Sequence, residues 1–277
     1  MPHIRTPQIE IYYEQAGIGP PVLFISGTGG DLRLKPNVFD GPLSRHFQVT
    51  AYDQRGLGQT DKPDKPYTMA DYADDAAHLL DALGFDQVHV IGVSFGGMVA
   101  QEFALRHQSR IRRLVLACTS PGGEGGASFA FHDLALTGIE RAAHMIPISD
   151  LRHDAQWASR HPDQYQRMID MAARDPYADE PGRLEGARRQ LEARKGHDTW
   201  MRLGQLQMPV MIAAGEYDGI APKSIQMNLH RQIKDAELHF FDGGHLFLIQ
   251  DQRAMPAIIQ FLKRDPDGPA DQMPSIG

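Results

Sequence analysis

Apolar residues rich in Val, Ile, Phe and Tyr gather in short runs at 9–13, 22–26, 47–52, 88–92, 112–117, 209–214 and 237–241. Each run is too short for a helix and ends at polar or turn-forming residues, so each predicts a β-strand. VLFIS, LVLAC and VMIAA are nearly unbroken apolar stretches, the pattern of strands covered on both faces of a parallel sheet. Between the runs, a 3.6-residue period predicts helices over 69–84, stopped by Gly84, and over 95–107. Strand and helix in alternation imply an α/β fold: a mostly parallel central sheet with helices on both faces and right-handed crossovers.

The alternation breaks between 121 and 205, where PGGEGG opens a long Arg-, Met- and Ala-rich stretch with no strand pattern. This predicts an inserted helical subdomain, with residues 1–120 and 206–265 forming the core. The last residues, 266–277, have the Pro, Gly and Asp content of a frayed tail.

Composition narrows the function. The 277 residues, 42% apolar and 23% charged, suit one ordinary globular core. The net charge is −7 and the 28 basic residues are scattered, so nothing attracts a nucleic-acid backbone over long range. No apolar run approaches the roughly 20 residues of a membrane span, and the start lacks a secretory pattern; a soluble cytoplasmic protein is expected. The single cysteine, Cys118, reads as a buried strand end.

The candidate chemistry starts at GVSFGG, residues 92–97, between the strand QVHVI and an amphipathic helix. Gly92 and Gly96 permit a sharp turn that pushes Ser94 above the carboxyl ends of the strands. The helix that follows aims its N-terminal amides, and their partial positive charge, at the same point.

Over roughly residues 8–262 the sequence resembles the α/β-hydrolase superfamily. VLFISGTGG at 22–30 is similar to the strand and loop that supply part of the oxyanion hole, and YDQRGLGQTDKP at 52–63 to a turn of the same family. GVSFGG resembles the nucleophile elbow, AAGEYDGIAP at 213–222 the acid loop and FDGGHLFLIQ at 241–250 the histidine loop. HDTWMRL at 197–203 is most similar to the enol-lactonase and carboxylesterase-like branch, and 121–205 falls where the family carries its cap. Ser26 stands where the family often has His. A serine at the nucleophile position, in place of aspartate, disfavours the branches that form an alkyl ester on a carboxylate.

The resemblance implies a catalytic triad of Ser94, His245 and Asp218, in the chain order of this fold. Serine needs a base within reach to take its proton, and the resulting imidazolium needs an anion on its far nitrogen. Glu216 is the competing acid; the strand ending LVLACTS carries no carboxylate. The oxyanion donors implied are the backbone N–H groups of Phe95 and Thr28, with Gly29 the alternative to Thr28.

Other residues invite a functional reading. Asp53 and Arg55 are read as pinning a turn. SGTGG has neither phosphate-loop nor dinucleotide spacing, and no cofactor is implied. His132, His144, His153, His161 and His197 lack a helical zinc pattern, and no metal is expected. Phe129, Phe131, Met145, Trp157 and Met168 line either a substrate pocket or the core of the insertion. Arg188, Arg189 and Arg194 read as a solvated helix face.

The expected activity is cofactor-independent hydrolysis of a small or medium carboxylic ester or lactone through an acyl-enzyme. The alternatives are carbon–carbon bond hydrolysis of a vinylogous diketone by the same triad, and a non-catalytic ligand receptor on this fold. The expected partner is the small-molecule substrate; self-association into a homo-oligomer stays open.

Overall fold

The computed structural model describes residues 2–264. Eight strands form one sheet: β1 (His3–Arg5), β2 (Glu10–Ala16), β3 (Pro21–Ile25), β4 (Gln48–Tyr52), β5 (Val88–Val93), β6 (Ile111–Ala117), β7 (Val210–Gly215) and β8 (Glu237–Phe241). Their spatial order is β1-β2-β4-β3-β5-β6-β7-β8. β1 and β2 pair antiparallel, as do β2 and β4, and every other pair is parallel. All seven predicted strands are present. The additional strand, β1, is three residues long and pairs only along the outer edge of β2, too short to leave a period in the sequence.

Helices α1 (Met69–Ala82) and α2 (Phe95–Arg106) match their predicted spans to within two residues. Thr68 caps α1 reciprocally with Asp71, which fixes where that helix starts. Apolar side chains pack on both faces of the sheet. Leu23, Val90, Leu114 and Ile212 point to one side, with α1 and α2. Val49, Ile91, Val115 and Met211 point to the other, with Phe247 and Ile258. This two-sided burial is why the central strands read as unbroken apolar runs.

Between β6 and β7 the chain forms α3 (Gly138–Ser149), α4 (Ala155–Arg160), α5 (Pro162–Ala173) and α6 (Arg183–Lys195). An isolated antiparallel bridge joins Gly122 to Asp198, and the Thr199 N–H donates to the Pro121 carbonyl at 2.8 Å, so the segment leaves and returns at one point. It has a small apolar cluster of its own, Ala142, Ile146 and Ile169. After β7 come α7 (Lys223–Gln232), α8 (Phe247–Gln250) and α9 (Ala254–Lys263). The expected frayed tail lies outside the described residues, and among the described residues no helix is long and apolar enough to cross a membrane.

Candidate active site

The turn after β5 is built by close approach. A Cβ on Gly96 would lie 2.1 Å from the Ile25 carbonyl oxygen, and one on Gly92 would lie 2.4 Å from that of Gly96, so neither position accepts a side chain. Ser94, between them, takes φ 55° and ψ −116°, a strained conformation for a residue with a side chain. It is held by its own N–H, which donates to the Ala117 carbonyl at 2.8 Å, and by the Thr119 hydroxyl, which donates to its carbonyl at 2.8 Å. The strain lifts the hydroxyl off the end of the sheet.

His245, from the turn after β8, places Nε2 at 2.9 Å from Ser94 Oγ and Nδ1 at 2.8 Å from Asp218 Oδ2. Asp218 is buried, and its other oxygen accepts the N–H groups of Ile220 at 2.8 Å and Ala221 at 2.9 Å. Three side chains distant in sequence thus form one hydrogen-bonded chain. Glu216 is outside it, paired with Lys223 at the surface.

The N–H of Gly29 is occupied: it donates to Gln190 Oε1 at 2.9 Å. Gly29 is therefore not a free donor, whereas the neighbouring N–H of Thr28 and the N–H of Phe95, first residue of α2, have no partner among the described residues. The Thr28 hydroxyl is itself buried without a partner.

Several positioning contacts have no sequence signature. The last turn of α3 presents the Ile148 carbonyl to the Gly219 N–H at 3.1 Å and the Ser149 carbonyl to the His245 N–H at 2.6 Å. Gln250 accepts from the Gly244 N–H at 2.8 Å and donates to Asp150 at 3.0 Å. The acid loop and the histidine loop are therefore both fastened to the helical insertion. Backbone carbonyls leave no trace in residue type, and Gln190 was one polar residue in an Arg-rich helix.

Asp53 and Arg55 hold the turn at 52–63. Asp53 accepts the Leu32 N–H at 2.7 Å and the Gln59 N–H at 2.9 Å, and burial pushes its carboxyl up to about 6. Arg55, fully buried, is bidentate to Asp75 at 2.6 and 2.7 Å. Cys118 is buried beside Asp218; burial and that carboxylate push its thiol far up, so it stays neutral. The one group of metal-capable side chains among the described residues, Cys118, Asp218 and His245, includes none of the insertion's histidines.

The insertion differs from expectation. Arg188 is solvated, paired with Glu185 and Glu192, but Arg189 and Arg194 are buried. Arg189 reaches Asp64 and the Pro63 carbonyl, contacts far along the chain that helical spacing cannot report. Of the five pocket candidates, Met168 packs on the insertion's own cluster, and Trp157 stacks between His153 and His161, with ring centroids 4.3 and 5.0 Å away. Met145 is half-buried on α3. Phe129 and Phe131 pack edge to face at 5.3 Å.

A family model, alpha/beta hydrolase fold, matches residues 20–252. The chain belongs to the α/β-hydrolase superfamily. This hydrolase is 31% identical over 255 residues to the poly(3-hydroxyalkanoate) depolymerase of Ectopseudomonas oleovorans, covering 88% of this chain and 85% of the relative. Among solved structures it is similar to the enol-lactonase of Burkholderia xenovorans LB400, with a TM-score of 0.76 and 24% identity over 95% of this chain and all of that one. It is also similar to the meta-cleavage product hydrolase of Pseudomonas fluorescens IP01, with a TM-score of 0.71 and 25% identity over 94% and 96% of the two chains. The hydrolase thus shares the expected fold with an enol-lactonase.

Proposed function

We propose that this hydrolase cleaves a small or medium carboxylic ester or lactone through an acyl-enzyme, with Ser94 as nucleophile, His245 as general base and acid, and Asp218 as the orienting anion. The observation that carries the reading is the continuous relay from Ser94 Oγ through His245 to Asp218, at 2.9 and 2.8 Å. Asp218 accepts a hydrogen bond from Nδ1–H, which keeps the proton on that nitrogen and leaves the Nε2 lone pair facing the serine hydroxyl. As Ser94 attacks the carbonyl carbon, His245 takes its proton and the carbonyl oxygen becomes an oxyanion. The free N–H groups of Thr28 and Phe95 and the N-terminus of α2 meet that charge. His245 then protonates the departing alkoxide, leaving the acyl group on Ser94. A water molecule, deprotonated by the same imidazole, attacks the acyl carbonyl and releases the acid and the serine. No cofactor enters the sequence. The insertion, residues 121–205, serves as the cap that shapes the pocket.

The 31% identity to a poly(3-hydroxyalkanoate) depolymerase, whose named substrate is a polyester, supports this chemistry over carbon–carbon cleavage. The test is Ser94→Ala. Turnover of 4-nitrophenyl butyrate should fall at least about 10⁴-fold with the melting temperature preserved, and a fluorophosphonate should label Ser94 of the wild type. Unchanged turnover in the variant, or no labelling, overturns the proposal. A ring-cleavage product hydrolysed with a higher kcat/KM than any ester would favour the carbon–carbon reading.

A further inference from the structure

The insertion buries an arginine without giving it an acid. Arg194, in the last turn of α6, is 6% exposed. Its Nη2 donates to Ser128 Oγ at 2.7 Å, and the ring of Phe131 lies 4.4 Å from the guanidinium carbon. Nε and Nη1 are buried with no hydrogen-bond partner. Asp133, two residues beyond Phe131, is engaged by His132 at 3.5 Å and Lys195 at 3.9 Å. Three other buried arginines in or beneath the insertion have carboxylates: Arg55 has Asp75, Arg183 has Asp31 and Arg189 has Asp64. Burial and the like charge of Arg141 pull Arg194 down to about 10, so it remains a cation at neutral pH. A desolvated cation without an anion is a costly arrangement that a ligand's negative charge relieves.

A cavity of about 40 Å³ adjoins it, lined by Met98, Ser120, Ser128, Phe129, Arg194 and His197 among others. That volume suits a carboxylate group or a single water. His197 places Nε2 at 3.1 Å from the Ser120 carbonyl, so the proton sits there and Nδ1 is a buried acceptor without a partner. Two of the cavity's lining residues are bonded to the catalytic frame. The Met98 N–H donates to the Ser94 carbonyl at 3.3 Å, and the Phe129 N–H to the carbonyl of Ile220, two residues past Asp218, at 2.8 Å.

We propose that Arg194 receives a free carboxylate of the substrate, so that the ester or lactone turned over by this hydrolase carries an ionised acid at the end remote from the scissile bond. The inference rests on the hydrolase reading above and gives it a substrate class. Nε and Nη1 supply two unused donors, Ser128 holds the guanidinium in place, and Phe131 shields one face from water.

The test compares 4-nitrophenyl monoesters of succinic to adipic acid, which keep one carboxylate, with neutral 4-nitrophenyl esters of the same chain length. Wild type should favour the best acidic ester by tenfold or more in kcat/KM. Arg194→Gln should reduce that preference by about ten- to a hundredfold, and Arg194→Lys should restore part of it. A preference that moves less than twofold overturns the proposal. Monomethyl glutarate should inhibit hydrolysis of the neutral ester competitively, and dimethyl glutarate far less. Non-competitive inhibition would mean a separate effector site and would also overturn it. These wild-type measurements need no variant to fold. Titration of monomethyl glutarate into Ser94→Ala by calorimetry separates the two claims. Binding that depends on Arg194, with no turnover of any ester by wild type, sinks the hydrolase reading but keeps the anion site. Turnover without acid preference or acid binding sinks the anion site alone.

Discussion

Replacing Asp218 with asparagine tests the relay at its most constrained link. Oδ1 of Asp218 accepts two backbone N–H groups, at 2.8 and 2.9 Å. An asparagine that turned its NH₂ toward those donors would strand both, a loss of about 1–3 kcal/mol for each. The amide oxygen therefore keeps their place and the NH₂ faces His245 Nδ1. Two donors cannot share that gap, so the imidazole moves its proton to Nε2, which then donates to Ser94 where it had accepted. The serine loses its base and the imidazolium loses its counter-charge. The expected loss in kcat is about 10⁴-fold, or roughly 5.5 kcal/mol on the barrier. The assay is steady-state release of 4-nitrophenol from the best ester, with circular dichroism melting to confirm that the variant folds. A folded Asp218→Asn enzyme that keeps more than about a tenth of wild-type kcat would refute the reasoning.

Three further outcomes are expected. Gln190→Ala frees the Gly29 N–H beside Thr28 and leaves it unpaired, so kcat should fall about tenfold, with a stability loss of about 1–2 kcal/mol in urea titration. Arg55→Met strands the buried carboxylate of Asp75 and should cost about 3–5 kcal/mol by the same method, whereas an exposed change such as Arg188→Met should leave the urea midpoint essentially unmoved. Burial holds His89 and His197 at about 4, below the ordinary 6.5. Their folded state binds fewer protons than the unfolded chain, so their contribution is complete above pH 6.5 and disappears as pH falls to 4, on the order of 3 kcal/mol each. Asp53, held up at about 6, works in the opposite sense between pH 4 and 6 and offsets part of the loss. Urea midpoints should therefore drop between pH 7 and 4.5 with a net dependence of about one imidazole, and His89→Gln should flatten the slope; a drop as steep as wild type in that variant would contradict the assignment.

The strands and the nucleophile turn were legible because their causes are local. Two-sided burial writes unbroken apolar runs such as LVLAC, and a Cβ at Gly92 collides with Gly96 four residues on, although the clash at Gly96 is with the end of β3 at Ile25. The choice between Asp218 and Glu216 depended on which carboxylate meets two backbone donors, and the geometry, not the residue type, separates them. The insertion was least readable. Arg189 and Arg194 sit in an Arg-rich helix that looks solvated, yet the first is buried by partners more than a hundred residues away and the second by an aromatic ring. Gln190 and the Ile148 and Ser149 carbonyls act through main-chain contacts, which composition and period do not encode.

The last turn of α3 sets a limit on how this enzyme can change specificity. Because its carbonyls hold both Gly219 and His245, the segment at 148–150 supports the proposed relay even though it sits within the insertion. A chimera that swaps the whole of 121–205 for another lid would unhook the histidine along with the old pocket. One that retains 147–152 and exchanges the surrounding helices would keep its chemistry and alter only what fits above it.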